Sequence, residues 1–330
     1  MKYTIDFRND VQYILEESKK HSTIDTLAKK YFHTFEQNAI QLKKLKHVLT
    51  VFLLYEQMRT DLFYNENKYE DNIKNFNFLR AVYGYSEEDV REFIKNKKSK
   101  IDYRYDSFIA SLLASQENKF SLPDNVKIIT WNYDCQFELA FKQFQGGTFF
   151  DIQKHLGVYP LLSQEEESTY WEEIQKNKFK ILHINGQAHY YKKQDDGKYI
   201  SRLDHEQMIE DNLELMIRSL DNTKTDITFS WERNSSKLNN KNIVVVVDEA
   251  KRIMMHTKVI VIIGYSFPYF NREIDKLLFK DLGGIDKIYI QDLNGKKIKE
   301  HIITVYGKIN PDMINVQEDI SQFILPAELD

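Results

Sequence analysis

The stretch Val126-Lys-Ile-Ile-Thr-Trp-Asn-Tyr-Asp134 decides the expected fold of this chain. Its apolar start, Val126–Ile129, predicts a buried strand, and the segment Cys135–Phe141 that follows predicts a helix. A strand that ends in a polar turn and continues as a helix places side chains at the carboxyl edge of a sheet, where open α/β folds bind ligands. Asn132 and Asp134 are therefore candidate site residues, although both residue types also favour plain turns and helix N-caps.

The length and composition of the chain limit the classes of protein to which it can belong. With 330 residues, 42% of them hydrophobic, the chain can bury a sizeable core as one large α/β domain or two modest ones. Its formal net charge of -4 gives no indication of direct nucleic-acid binding or of attraction to an anionic membrane. We expect no membrane span, because no apolar run approaches the roughly 20 residues that a spanning helix needs.

The number of cysteines indicates whether the protein works in a reducing or an oxidising compartment. The single cysteine, Cys135, excludes an intrachain disulfide and a zinc site of the Cys-X-X-Cys kind, so we expect no metal. A chain of this kind, without a basic-then-apolar leader, is predicted to work in the reducing cytoplasm. Cys135 itself is expected to fill the core rather than to act as a nucleophile, since it lies in the first turn of a helix that packs on a sheet.

The distribution of glycine divides the chain. The first 145 residues contain only Gly84, whereas the remaining 185 contain the other ten glycines. Tight strand-to-helix turns need glycine, so alternating α/β structure is expected mainly in the second part. Residues 1–120 are predicted to form a helical subdomain that acts as a lid or an interface. Residues 121–330 are predicted to form a Rossmann-like α/β domain, with a mostly parallel sheet flanked by helices.

Apolar spacing and turn signals predict the individual elements. The predicted helices are Val11–Lys19, Ile24–Phe35, Ala39–Phe63, Asp71–Val82, Glu87–Lys95, Ser107–Ser115 and Asn271–Phe279. The predicted strands are Lys127–Trp131, Phe179–Ile184, Lys258–Ile263, Lys287–Gln291 and Ile302–Tyr306. The segment Asn242–His256 is predicted to be a buried helix, although its run of valines has the β-branched content of a strand.

Two further motifs present polar groups just after a predicted strand. In Leu182-His183-Ile184-Asn185-Gly186, His183 could take or give a proton near neutral pH, or serve as a hydrogen-bonded structural residue. In Gly264-Tyr265-Ser266-Phe267-Pro268, Gly264 and Ser266 precede a helix whose N-terminus could approach a phosphate, or they form an ordinary turn. If the strands are neighbours, all three motifs face one crevice.

Two acidic side chains are candidate partners of a ribose. Asp275, in the helix after the third motif, and Asp292, after the strand Lys287–Gln291, could each reach a ribose hydroxyl. Both could equally be carboxylates on the surface.

In this order, the three motifs resemble the sirtuin-like domains of bacterial anti-phage defence proteins, over roughly Pro123 to Tyr306. The resemblance implies a Rossmann-like sheet with a helical subdomain, and hydrolysis of NAD⁺, as substrate rather than cofactor, at the nicotinamide–ribose bond. It implies that Asn132 holds the ribose and the attacking water, and that His183 acts as general base or orients the ribose hydroxyls. The residues expected to bind the nucleotide are Asp134, Asn185, Gly186, Gly264, Ser266 and Asp292.

The sequence departs from the family pattern at the second motif and at its cysteines. Because the motif reads His-Ile-Asn-Gly, either His183 or Asn185 corresponds to the histidine of the family. An amide cannot take up a proton, so general-base chemistry would be in doubt if Asn185 is the counterpart. The zinc-binding cysteines of deacetylating sirtuins are missing, which makes protein deacetylation the least expected activity.

A larger departure lies at the start of the chain. Family members open with a strand and a Gly-Ala-Gly phosphate loop, but here Met1–Phe7 leads into Arg8-Asn9-Asp10 and no glycine precedes Gly84. Without such a loop, close approach of the backbone to a pyrophosphate is hard to arrange. We therefore expect a homo-oligomer or a co-encoded defence protein to complete the site.

The sequence is also compatible with two other classes of protein. The chain could be a non-catalytic nucleotide-binding or assembly subunit of a defence complex that has lost the phosphate loop. It could also be an unrelated α/β protein whose motifs coincide by chance. The last alternative predicts that Asn132 and His183 lie more than about 12 Å apart, since groups that position one substrate act within a few ångströms of its reacting centre.

Overall fold

Short strands in small sheets, most of them parallel, alternate with helices in the part of the chain after residue 120. The computed structural model describes residues 2–33, 37–57, 86, 88–89, 102–116, 119–161, 172–193, 199–201, 223–234, 241–282, 284–306 and 309–329. The predicted helix Asp71–Val82 and most of the predicted helix Glu87–Lys95 lie outside these residues. Within them, the protein is a mixed α/β molecule with small parallel sheets.

Three helices form the described N-terminal part. They are α1 (Lys2–Ser18), α2 (Ile24–His33) and α3 (Gln37–Gln57). Leu27 and Leu45 are buried between these helices together with Phe229, which comes from much later in the sequence. The helical part therefore packs on the rest of the molecule. None of the described helices is long and apolar enough to cross a membrane.

The remaining elements alternate between helices and strands. The helices are α4 (Tyr103–Leu112), α5 (Gln136–Lys142), α6 (Phe149–Leu156), α7 (Lys241–His256), α8 (Arg272–Phe279) and α9 (Gly295–Tyr306). The strands are β1 (Ala114–Gln116), β2 (Lys119–Ser121), β3 (Lys127–Thr130), β4 (Val158–Tyr159), β5 (Lys180–His183), β6 (Tyr190–Lys193), β7 (Tyr199–Ser201), β8 (Thr223–Thr225), β9 (Val259–Ile263), β10 (Lys287–Gln291) and β11 (Ile314–Gln317). Short 3₁₀ turns lie at Ser230–Asn234, Tyr269–Asn271, Pro311–Met313 and Ala327–Leu329.

Two three-stranded parallel sheets contain the three motifs. One has the strand order β3-β5-β4 and the other β11-β10-β9. In the first sheet Thr130 is the register partner of His183, so β3 and β5 end side by side. Because the strands are parallel, the polar residues that follow them lie at one edge. Antiparallel pairing joins β1 to β2, and β6 to both β7 and β8.

One apolar core spans both parallel sheets. Leu182 and Ile184 of the first sheet share a cluster of buried side chains with Ile260 and Ile288 of the second sheet, and Val246 of α7 packs against them. A second core lies under α4, α5 and α6 and includes Phe141 and Ile181. The shared core keeps the two sheets in one body, which positions their carboxyl ends next to each other.

Most predicted elements of the second part are confirmed, within one or two residues. The β-branched segment predicted as the helix Asn242–His256 is a helix, Lys241–His256, with Val245, Val246 and Val247 buried. Three consecutive residues spread around more than half of a helix, so these valines are buried on a broad surface of the helix while Val244 is exposed, and their burial outweighs their preference for strands.

Three predicted elements are wrong in part or in whole. The first helix, predicted as Val11–Lys19, starts nine residues earlier, at Lys2. Ile302–Tyr306 is not a strand but the end of α9, because Ile298 and Ile302 lie one turn apart and are both buried. The predicted helix Ser107–Ser115 starts earlier, at Tyr103, and ends at Leu112, and Ala114–Gln116 is a strand. The early start follows from Asp102, whose side chain caps the helix by accepting a hydrogen bond from the Arg104 N–H.

Candidate functional site

Asn132 lies exposed in the turn that follows β3. The hydroxyl oxygen of Thr130 accepts a hydrogen bond from the Asn132 backbone N–H at 3.1 Å, which fixes the turn. Two residues on, an Asp134 carboxylate oxygen accepts a hydrogen bond from the Gln136 N–H at 3.3 Å. Burial raises the pKa of Asp134 above its ordinary value. Asp134 thus has the local turn role that its residue type favours, whereas the Asn132 side chain is exposed and contacts the Tyr105 hydroxyl of α4.

His183 and Asn185 bind the backbone of the Asn132 turn. Nδ1 of His183 lies 3.2 Å from the Asn132 carbonyl oxygen, and Nδ2 of Asn185 donates to the Trp131 carbonyl oxygen at 3.1 Å. The first two motifs therefore form one unit. The contact between Asn132 and His183 is far shorter than the separation expected for motifs that coincide by chance. His183 is only 1% exposed and Asn185 is 7% exposed.

Gly186 has a structural reason to be glycine. Its φ of +79° lies in the left-handed region, and a Cβ there would lie 2.1 Å from the backbone oxygen of Asp226. The Asp226 carboxylate accepts a hydrogen bond from the Gln187 N–H at 3.2 Å. Gly186 is buried, so its observed role is close packing of the chain behind His183 rather than contact with solvent.

The third motif reaches the first through two aromatic rings. Tyr265 follows β9 and stacks on Trp131, with 4.3 Å between ring centroids and 22° between ring planes. Gly264 has a φ of +59° with no atom within 4 Å of a Cβ built on it, and both Gly264 and Ser266 are exposed. The carboxyl ends of β3, β5 and β9 thus lie next to one another, and we call the edge that carries Asn132 and Ser266 the candidate crevice.

The two acidic candidates lie in different surroundings. Asp275 is only 1% exposed, and one of its carboxylate oxygens accepts a hydrogen bond from the Tyr265 hydroxyl at 2.7 Å. Burial raises the pKa of Asp275 from its ordinary value of 3.8 to about 7, against the opposing effect of that hydrogen bond. Asp292 instead accepts from the Asn294 N–H at 2.6 Å, in the turn that starts α9. Of the two, Asp275 is linked to the crevice.

Three buried polar atoms around the crevice have no hydrogen-bond partner within the described residues. They are Nε1 of Trp131, Oδ1 of Asn185 and Oδ2 of Asp275. Nε2 of His183 and Oε2 of Glu138, deeper behind the crevice, also lack a partner, as do buried polar atoms in the N-terminal helical part. Buried polar atoms are nearly always paired, and leaving one unpaired costs about 1–3 kcal/mol. One donor and two acceptors left open beside the same crevice are the pattern expected where a polar ligand binds.

A buried polar network behind His183 was missed by the sequence reasoning. Oε1 of Glu138 lies 3.4 Å from Nε2 of His183, and Gln153 Nε2 lies 3.3 Å from the same Glu138 oxygen. Gln153 also donates to Gln187 at 2.7 Å, and Gln187 in turn contacts His189 at 2.8 Å. One signal was present in the sequence: Glu138 lies three residues from both Cys135 and Phe141, so it shares the helix face of two buried apolar residues.

No group of three or more histidine, cysteine, aspartate or glutamate residues in the described ranges is placed to hold a metal ion. Comparisons with protein-family models, with curated proteins and with solved structures returned no match to this chain. The geometry of the crevice is therefore the main indication of function.

Proposed function

We propose that this chain hydrolyses NAD⁺ at the nicotinamide–ribose bond, as a sirtuin-like effector of anti-phage defence in the cytoplasm. The observation that carries the proposal is the contact between Asn132 and His183 at the carboxyl edge of β3 and β5. It brings together the two residues that the motifs assign to catalysis. The open donor and acceptors of Trp131, Asn185 and Asp275 support a polar ligand at the same place.

The reaction needs positioning more than strong acid or base chemistry. In NAD⁺ the nicotinamide nitrogen is cationic, so breaking its bond to the anomeric carbon returns the bonding electron pair to a neutral nicotinamide. A water molecule then bonds to the anomeric carbon and releases a proton to solvent, which gives ADP-ribose. The exposed amide of Asn132 can hold the ribose and the water in line with the bond that breaks.

The strand arrangement is compatible with a Rossmann-like sheet that a partner chain completes. The partner would be a second copy of this chain or a co-encoded protein. Within the described residues, β3 pairs only with β5 and β9 pairs only with β10, so each has a second edge without a described partner. All four residues of β3 are half-buried. Unpaired strand edges accept a further strand, and a phosphate-holding loop could enter the crevice beside them. We propose that the missing glycine loop is supplied in this way.

The test is NAD⁺ consumption by the full chain, followed by chromatography with and without the co-encoded neighbour. We expect nicotinamide and ADP-ribose to appear in equal amounts, and we expect Asn132→Ala to abolish their formation. Asn315→Ala, an exposed residue of β11 away from the crevice, is the matched control and should behave as the unmodified chain. NAD⁺ that stays intact under both conditions would overturn the proposal.

A second candidate function is nucleotide binding without turnover, as an assembly subunit. The observation that favours it is the burial of His183, whose two ring nitrogens both face oxygens of the protein rather than the crevice. Calorimetry separates the two functions. Binding of NAD⁺ or ADP-ribose with no nicotinamide released would favour the assembly subunit.

A further inference from the structure

The surroundings of His183 define where its protons lie. Its Nδ1 is 3.2 Å from the carbonyl oxygen of Asn132, which can only accept, so Nδ1 must carry a hydrogen. Its Nε2 is 3.4 Å from Oε1 of Glu138. In a neutral imidazole with its hydrogen on Nδ1, Nε2 would turn a lone pair toward a carboxylate oxygen, and these two acceptors would repel each other. With hydrogens on both nitrogens, Nδ1 donates to the Asn132 carbonyl and the charged ring faces the Glu138 carboxylate at ion-pair distance, although Nε2 and this carboxylate do not have the geometry of a hydrogen bond.

Glu138 is the strongest charged influence on that ring. It is fully buried, and the Gln153 side chain donates to its Oε1 at 3.3 Å, which holds the carboxylate in place. The other ionisable groups around the ring are Asp134, in the turn after β3, and His189, after β5. Burial pushes the pKa of His189 well below its ordinary value, so His189 stays neutral at neutral pH.

Opposing effects determine the protonation of His183. Burial lowers the pKa of His183, but the contact with Glu138 raises it, with further raising contributions from the Asn132 carbonyl and from Asp134. Together they leave the pKa above its ordinary value of 6.5. Since Glu138 and the carbonyl of Asn132 lie on opposite sides of the ring, the imidazolium bridges α5 to the Asn132 turn.

We propose that Glu138 is a positioning residue, which keeps His183 as an imidazolium clamp on the Asn132 turn rather than as a general base. The proposal rests on the proposed function only for its effect on turnover. The clamp itself is a property of the folded chain and can be measured without substrate. A carboxylate is required here because it stabilises the charged ring, while a neutral side chain of the same shape would stabilise the neutral ring.

The first experiment is a nuclear magnetic resonance titration of the histidine side chains in the full chain, with His183 assigned by substitution. We expect His183 to titrate above 6.5 in the unmodified chain. In Glu138→Gln, whose amide can donate to a neutral Nε2, we expect the midpoint to fall by about 1 to 3 pH units. A midpoint below 6 in the unmodified chain, or one unchanged by Glu138→Gln, would overturn the proposal.

Glu232 provides the matched control. It is as buried as Glu138, at 1% exposed, but it pairs with Lys46 at 2.7 Å in the helical part of the molecule. Glu232→Gln should leave the titration of His183 where it is. An equal shift in both variants would show a general loss of structure rather than a specific pair, and would count against the clamp.

The second experiment is the pH dependence of NAD⁺ hydrolysis. An imidazolium clamp predicts that kcat falls as pH rises through the pKa of His183, whereas a general base predicts that kcat falls as pH drops. Glu138→Gln should lower kcat roughly tenfold to a hundredfold and leave KM nearly unchanged, because a small misplacement of Asn132 affects the reacting centre more than binding. Absence of NAD⁺ hydrolysis would refute the proposed function, while the titration would still decide the clamp.

Discussion

The indole ring of Trp131 stacks on the phenol ring of Tyr265, at 4.3 Å between centroids, and so joins the carboxyl ends of two parallel sheets. The Tyr265 hydroxyl also donates to buried Asp275 at 2.7 Å. One tyrosine therefore links β3, β9 and α8 through a ring contact and a hydrogen bond. No regular backbone pairing joins β3 to β9 within the described residues, so this aromatic contact is central to how the crevice is held together.

Two substitutions of Tyr265 separate these contributions. Tyr265→Phe keeps the ring but leaves the Asp275 carboxyl without its donor, and should cost about 1–3 kcal/mol of unfolding free energy. Tyr265→Leu also removes the stack on Trp131, and should cost roughly 0.5–1.5 kcal/mol more. Urea denaturation measures both. Equal losses in the two variants would mean that the stack contributes nothing beyond the hydrogen bond.

Glycine substitutions should distinguish a crowded turn from an open one. Both Gly186 and Gly264 have positive φ, but a Cβ at Gly186 meets the backbone of Asp226, while a Cβ at Gly264 meets nothing within 4 Å. Gly264→Ala should cost about 1–2 kcal/mol, the strain of a left-handed residue. Gly186→Ala adds overpacking to that strain and should cost roughly 2–5 kcal/mol.

Thermal unfolding of both glycine variants checks this prediction. The Gly264→Ala protein serves as the control for the backbone strain that the two share. Similar melting temperatures in the two variants would show that the backbone near Asp226 moves aside easily. NAD⁺ binding by the Gly264→Ala protein would also show whether this exposed turn lies against the nucleotide.

Asp275 should make stability depend on pH. Burial raises its folded-state pKa to about 7, above the ordinary 3.8, so the folded state binds more protons than the unfolded state between these values. Stability is therefore highest in the acid part of that window, falls as pH rises from about 4 to 7, and then levels off. Asp275→Asn removes the titrating group, and should flatten the dependence and raise the melting temperature at pH 8. A pH profile identical to that of the unmodified chain would contradict the burial argument.

The parallel sheets could be predicted from sequence because their strands are short apolar runs followed by polar turns. Lys287–Gln291 was predicted with its observed bounds, and the turn at Asn132 was predicted to meet His183 at one edge. The strand predicted at Ile302–Tyr306 is wrong: the segment is rich in β-branched residues, but Ile298 and Ile302 lie one helical turn apart and are both buried, which favours a helix.

The contacts between motifs could not be read from the sequence. The sequence spacing of Glu138 indicates burial but not the partner of its carboxylate, because the contact with His183 depends on how α5 packs. The same holds for Asp275, one of two acidic candidates that the sequence could not rank. In the structure the Tyr265 hydroxyl donates to Asp275 and links it to the crevice. Asp292 instead accepts from the Asn294 N–H in the turn before α9.

A buried ion pair at the amino end of β5 should behave differently from an exposed one. Lys180 and Glu249 are 1% and 4% exposed, and Lys180 Nζ lies 2.8 Å from Glu249 Oε1, which fastens α7 to the strand that carries His183. Lys180→Met leaves Glu249 buried with only Arg252 as partner, and should cost about 3–5 kcal/mol. The double variant Lys180→Met with Glu249→Leu should recover most of that loss, because no unpaired charge stays buried.

The exposed pair between Lys287 and Glu328, at 2.8 Å, is the matched control for this prediction. Lys287→Met should cost less than about 1 kcal/mol, since water already solvates both charges. Chemical denaturation of the unmodified chain, Lys180→Met, Glu249→Leu and the double variant gives the coupling between Lys180 and Glu249. If the double variant is as unstable as Lys180→Met alone, the unpaired carboxylate of Glu249 is not the cause of the lost stability. The loss would then come from the contacts of Lys180 with the carbonyl oxygens of Ile174 and Lys176.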